Sequence, residues 1–155
     1  MEHRVKAYDL VVELGEQLGL SEEQVLSFFT DSPLDFPIYF ASRLPFFVDR
    51  FGMVGITIRG KVWLLNKARN GHPIFLLSLV RHEAEHVAQQ RREPILFYPR
   101  YFISWLGNFL IPFPSKKLRQ FRKRFGHRHA AYRAISYEVE AYRVGDSLAE
   151  RLRKV

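Results

Sequence analysis

The sequence predicts an α+β fold that is mainly helical, and three observations carry that expectation. Apolar residues recur at helical spacing over most of the 155-residue chain. The period changes to that of extended chain over residues 54–66, where β-branched and apolar residues flank a glycine. Proline and glycine separate these stretches from one another. The length fits one domain, residues 1–155, large enough to bury a single core, and the 47% hydrophobic content excludes disorder.

Taken in order, residues 4–19 carry Val5, Tyr8, Val12, Leu14 and Leu18 at helical spacing and are expected to form a helix ending near Gly19. Ser21-Glu22-Glu23-Gln24 has the form of a capping box and opens a short helix to about Phe29. Residues 31–45 contain Pro33, Pro37 and Pro45 and should be irregular. Residues 1–50 therefore read as a helical and proline-rich wrapper, which either completes the core or lies across a cleft as an inhibitory segment. Ile56-Thr57-Ile58 and Val62-Trp63-Leu64-Leu65 around Arg59-Gly60-Lys61 predict a short β-hairpin. Pro73 suits the first turn of a helix over residues 74–93, which must stop before Pro94.

Residues 95–114 are almost uncharged and rich in aromatics: Phe97, Tyr98, Tyr101, Phe102, Trp105, Phe109 and Phe113. Their number approaches that of a membrane span, but Pro99, Arg100, Gly107 and Asn108 interrupt them and Pro112 and Pro114 close them. A core helix packed beside the preceding one is expected, with contact to a membrane surface as the alternative and a true span behind both. The last helix is expected over residues 129–152.

The chain has no cysteine, which excludes disulfides, thiolate metal sites and cysteine nucleophiles. Its net charge of +8 is uneven: between Glu93 and Glu138 there is no acidic residue, and nine lysines and arginines there carry +9. Residues 116–133 thus suggest either an anionic partner, nucleic acid or lipid, or a solvated connector. The first nine residues lack the apolar run of a signal peptide, so a cytoplasmic location is expected, peripheral to a membrane if residues 95–114 touch one.

His82-Glu83-Ala84-Glu85-His86 is an H-E-x-x-H element within the 74–93 helix. Positions i and i+4 share a helix face, so both imidazoles can point at one metal ion, with Glu83 placed to act as general base. Zinc needs a third protein ligand and an open position. Glu138 is the preferred candidate because it sits in an apolar stripe (Ala131, Ala134, Ile135, Ala141, Tyr142, Gly145, Leu148, Ala149, Leu152), where a lone carboxylate requires a cation. Glu140 lies about 200° away around that helix, on a polar face, where Arg143 or Arg133 would pair with it. His127 or His129 would instead give a three-histidine site, or donate a hydrogen bond to an oxyanion. Tyr142 shares the Glu138 face and is a candidate oxyanion donor. Gln89 and Gln90, one turn beyond His86, are candidate hydrogen-bond partners of the site. His3 and His72 have no partner pattern.

These pieces resemble gluzincin-type zinc metallopeptidases: a strand, the H-E-x-x-H helix, then a separate helix with a Glu-x-x-Ala-type ligand, here Glu138-Val139-Glu140-Ala141. The length is similar to that of the minimal members, the minigluzincins, and His82 to Gln90 resembles bacterial domains with an H-E-x-x-H-x-x-Q-Q segment. The resemblance covers residues 54–152. It implies a zincin-like core, a catalytic Zn2+ held by His82, His86 and Glu138, Glu83 as base, and a peptide or protein substrate. Two departures stand out: Tyr137 occupies the place of an asparagine that often precedes the ligand glutamate, and no oxyanion donor stands at a fixed distance. Val87-Ala88-Gln89-Gln90 after His86 excludes the metzincin subclass. The competing expectations are a metal-binding domain without catalysis, acting in regulation or interaction, and a basic protein that binds nucleic acid or anionic membrane.

Overall fold

The computed structural model describes residues 3–111 and 115–154; the side chains of Phe47, Arg50, Phe51, Phe125, His127, Arg128 and His129 also fall outside the description. The fold is α+β and mainly helical. Strands β1 (His3–Lys6), β2 (Pro37–Ala41), β3 (Gly55–Ile58) and β4 (Lys61–Leu65) form one sheet in the order β1-β2-β4-β3. β2 runs parallel to β4, and the two outer pairs are antiparallel.

The hairpin forms where expected. Ile58 pairs with Lys61, and the two residues between them, Arg59 and Gly60, both have positive φ (50° and 70°). That matches the mirror-image turn whose twist suits a two-residue hairpin. Two strands were not expected. Residues 37–41, read as irregular, form β2 between β1 and β4: the prolines forbid a helix, but Pro37 stands first in the strand, where a missing N–H is tolerated. Residues 3–6, read as the start of a helix, pair with β2 as β1, so that cross-strand pairing overrides their helical spacing. Helix α1 (Ala7–Gln17) follows directly.

The capping box is present at α2 (Glu22–Leu26), with Ser21 and Gln24 bonded reciprocally. Helix α1 buries Ala7, Leu10, Val11 and Leu14, and β2 buries Ile38 and Phe40, in the same apolar cluster as Val62, Leu64, Leu76, Val80 and Leu148. The first fifty residues thus supply half of the strands and much of the core.

A short helix, α3 (Asn66–Arg69), leads to α4 (Pro73–Arg92), with Pro73 in its first turn. His72, to which no role was assigned, caps α4: its Nδ1 accepts from the Ile74 N–H at 3.2 Å. Helix α5 (Phe97–Leu110) is not the core helix expected beside α4, since Phe97 is its one buried residue and it packs on α7 (His127–Arg133). Helix α6 (Lys116–Phe125) also packs on α7. Among the described residues no helix is long and apolar enough to cross a membrane.

The expected final helix is two. The chain extends at Ile135 (ψ 133°), a buried side chain, and α8 (Ser136–Leu152) starts afresh along α4. This break frees α7 to turn toward α5 and α6 and puts Glu138 in the first turn of α8. There the positive end of the helix dipole favours a carboxylate.

Candidate metal centre

The centre lies where α4 and α8 pack side by side. Their approach depends on Gly145: a Cβ added there would sit 2.9 Å from the Ser78 carbonyl oxygen and 3.4 Å from the His82 Cβ. Ser78 Oγ donates to the Gly145 carbonyl at 2.9 Å across the same contact. Ala141, Leu148, Ala149 and Leu152 are buried on the α8 face that carries Glu138, as their spacing predicts.

Helical spacing brings His82 and His86 to one face of α4, with their Nε2 atoms 3.1 Å apart. Glu138 meets both: Oε1 is 3.1 Å from His86 Nε2, and Oε2 is 3.5 Å from His82 Nε2. All three residues are buried, and one donor atom from each lies within 4.8 Å of the others. His86 Nδ1 stands 2.8 Å from Gln89 Oε1, an acceptor, so Nδ1 carries the hydrogen and the Nε2 lone pair faces the cluster. Two imidazole nitrogens and a carboxylate so close together repel unless a cation lies among them. In the protein alone that cation is a proton. Burial lowers the His86 pKa, but the Glu138 charge beside it outweighs burial and raises it to about 9. Burial likewise raises the Glu138 pKa, and the two histidines reverse this and hold it well below the usual carboxylate range.

A metal ion fits the same place. Glu138 Oε2 is buried without a hydrogen-bond partner, whereas Oε1 accepts from the Tyr101 hydroxyl at 2.5 Å. Neutral imidazole and carboxylate are the donors an open zinc site uses, and the chain has no thiol to compete with them.

Other predicted residues fall into place around the cluster. Glu83 is buried beneath β3: Thr57 Oγ1 donates to its Oε2 at 2.6 Å, and its Oε1 approaches Gly55 so closely that a Cβ there would lie 2.6 Å away. Tyr142 packs edge-on against His82 with ring centroids 4.5 Å apart, beneath the Arg133 guanidinium. Burial and then the Glu138 charge push its pKa up to about 12, so its hydroxyl stays a donor at neutral pH.

Of the two glutamines, Gln89 is the one that meets the site. Its Nε2 also donates to the Tyr137 carbonyl and to Glu140 Oε2, tying α4 to α8. Gln90 turns to the sheet, where its Nε2 donates to the Thr57 carbonyl and its Oε1 accepts from the Gly60 N–H. Its expected place at the metal centre is corrected to a brace for the hairpin, because adjacent helical residues point about 100° apart. Glu140 pairs with Gln89 and with Arg92 at 3.6 Å, rather than with Arg143 or Arg133. The side chains of His127 and His129 lie outside the described residues.

Sequence reasoning missed Tyr101 and Thr57, and it ranks Tyr132 behind Tyr142 among the tyrosines flanking Glu138. Tyr101 reaches Glu138 from α5, and Tyr132 borders both clefts beside the centre. Burial and the Glu138 charge raise both pKa values well above 10. Nothing separates Tyr101 in sequence from its aromatic neighbours. One cleft, of about 630 Å³, is bordered by His82, Glu83 and Tyr142; the other, of about 720 Å³, is bordered by Glu83, His86, Tyr101 and Glu138. Glu83 faces both.

Comparison with protein-family models, with curated proteins and with solved structures finds no match to this chain.

Proposed function

We propose that this protein is a zinc-dependent peptide hydrolase with Glu83 as its general base. The observation that carries the reading is the convergence of His82, His86 and Glu138, one carboxylate oxygen left without a partner, at the edge of two open clefts that both reach Glu83. His82 Nε2, His86 Nε2 and the Glu138 carboxylate would hold the metal. Bound there, zinc would acidify a water and polarise a substrate carbonyl. Glu83 takes the proton of the attacking water on a carboxylate oxygen and returns it to the departing amine. Thr57 holds that carboxylate at the cleft wall, and Tyr142 and Tyr101 keep neutral hydroxyls as hydrogen-bond donors. Gln89 fixes the tautomer of His86.

Metal analysis of the purified protein tests the ligand set. Glu138→Ala should lose zinc and Glu140→Ala should keep it; equal zinc in both would remove Glu138 from the site. On a mixed peptide library, Glu83→Gln should retain zinc and abolish cleavage.

One observation favours a second reading, a metal-binding domain without turnover. Both oxygens of Glu83 are closely packed, Oε2 on the Thr57 hydroxyl and Oε1 against Gly55. A base held this firmly serves a structural centre as well as a catalytic one. Stoichiometric zinc with no cleavage of any library peptide would select that reading.

A further inference from the structure

The outer side of α5 and the adjoining surface of α6 form a face that the metal centre does not use. Phe102, Ile103, Leu106 and Leu110 lie on one side of α5 and are 59%, 67%, 36% and 64% exposed. Ile95, 82% exposed, extends the same stripe toward the helix start. The other side of α5 carries Phe97, which is buried, and Tyr101, bonded to Glu138. The metal centre therefore fixes the roll of α5, and its apolar side stays outward.

Helix α6 begins at a Ser115 cap, buries Leu118, and exposes Lys116, Lys117, Arg119, Lys123 and Arg124. Arg122 donates from Nη2 to the carbonyls of Asn108 and Ile111, at 3.1 and 3.2 Å. These bonds tie the end of α5 to α6, and both helices pack on α7, so the apolar stripe and the basic helix belong to one part of the molecule. No acidic residue lies in the sequence between Glu93 and Glu138 to offset that charge.

We infer that this face docks the protein on an anionic membrane surface, with the α5 stripe in the headgroup–acyl boundary and the α6 cations on the headgroups. Charge complementarity selects this occupant. Pairing two copies through α5 brings two basic helices to one interface, which like charge opposes. Nucleic acid satisfies the cations but leaves the aliphatic stripe in water. Anionic headgroups above hydrocarbon complement both halves at once. At 1.5 Å per residue α5 is about 21 Å long, short of the roughly 30 Å hydrocarbon core, so it lies along the interface instead of crossing it. The inference stands apart from the peptidase reading, because it takes from the centre only the Tyr101–Glu138 bond that sets the roll of α5 and needs neither metal nor turnover.

Co-sedimentation of the full chain with vesicles tests it, comparing phosphatidylcholine alone with phosphatidylcholine containing one-third phosphatidylglycerol. Binding should require the anionic lipid and weaken with salt. Lys116→Glu with Lys123→Glu should lower the partition by at least about 30-fold, near fivefold for each cation removed. Ile103→Glu should lower it by about tenfold or more through the loss of one buried aliphatic side chain. Unchanged circular dichroism and zinc content in each variant show that the fold persists. Three results overturn the inference: no binding to anionic vesicles at low salt, binding that Ile103→Glu leaves intact, and a concentration-dependent dimer that Ile103→Glu dissolves. Tight binding to duplex DNA with none to vesicles would assign the basic helix to nucleic acid instead.

Discussion

Gln89 and Gln90 are neighbours with opposite duties, and substituting each tests the proposed centre sharply. Gln89 is 1% exposed, and its side chain makes three hydrogen bonds: with His86 Nδ1, the Tyr137 carbonyl and Glu140. Gln89→Leu keeps the volume and removes all three. Without the Oε1 acceptor, His86 loses the bond that fixes its tautomer and ring orientation, and losing such a partner weakens metal binding by about 10–100-fold. Leaving the buried Nδ1–H unpaired also costs about 1–3 kcal/mol of stability. Gln90→Leu instead releases the Thr57 carbonyl and the Gly60 N–H at the hairpin, with a similar stability cost but no direct effect on the metal donors.

The assay is a zinc titration against a chelating indicator, paired with thermal melting of the metal-free proteins. Both variants should melt lower than the parent, and Gln89→Leu alone should bind zinc 10–100-fold more weakly. If Gln89→Leu folds and binds zinc as the parent does, His86 Nε2 is not a metal donor and the proposed centre is wrong. If Gln90→Leu weakens zinc as much as Gln89→Leu, the effect comes from general loosening and not from the histidine tautomer.

Three further outcomes follow from the same geometry. Gly145→Val forces α8 away from the Ser78 backbone and should cost about 1–3 kcal/mol by overpacking, seen as a lower melting temperature together with weaker zinc binding; an unchanged melting temperature would mean the α4–α8 contact is looser than described. Tyr101→Phe removes the donor to Glu138 Oε1 and should weaken zinc binding within the range of about 10–100-fold for a lost ligand partner, while an unchanged affinity would place Tyr101 in packing alone. Melting of the metal-free protein should depend on pH through His86 and Glu138. The raised His86 pKa gives stability that is complete below its ordinary 6.5 and lost as pH rises through about 9. The depressed Glu138 pKa gives stability that is complete above its ordinary 4.5 and lost as pH falls toward its folded value. Stability from this pair is therefore greatest between pH 4.5 and 6.5, and zinc, which displaces the proton of His86, should add most to the melting temperature above that window.

Parts of this architecture are legible in sequence where local rules act alone. The i, i+4 spacing puts His82 and His86 on one face, and Gly60 between two apolar runs announces the hairpin turn, though Lys61 belongs to the strand and not to the turn. The stripe Ala141, Gly145, Leu148, Leu152 marks the buried side of α8 and carries Glu138 with it. What escaped depends on pairing at long range. β1 is charged and short, and becomes a strand only because β2 offers an edge. β2 hides between prolines that forbid a helix but not a strand. The break at Ile135 has no proline or glycine to signal it, and it reflects the competing demands of α7 for α5 and α6 and of α8 for α4. Tyr101 escaped for the same reason: its partner is 37 residues away.

The choice of third ligand rests on where buried carboxylates find their partners. Glu85, Glu138 and Glu140 all stand near the histidine pair in sequence or space. Glu85 is buried, with Oε1 hydrogen-bonded to Arg92 at 2.8 Å and Oε2 in a looser ion pair with Arg81 at 3.5 Å. Glu140 is partly exposed and held by Gln89 and Arg92. Buried polar atoms in folded proteins are almost always hydrogen-bonded, because an unmade bond there costs about 1–3 kcal/mol. Glu138 Oε2 breaks that rule in the most buried carboxylate of the three, and it does so facing His82 Nε2. The oxygen left without a partner beside two imidazole nitrogens, on the apolar stripe that singles out Glu138, is where a cation could be held.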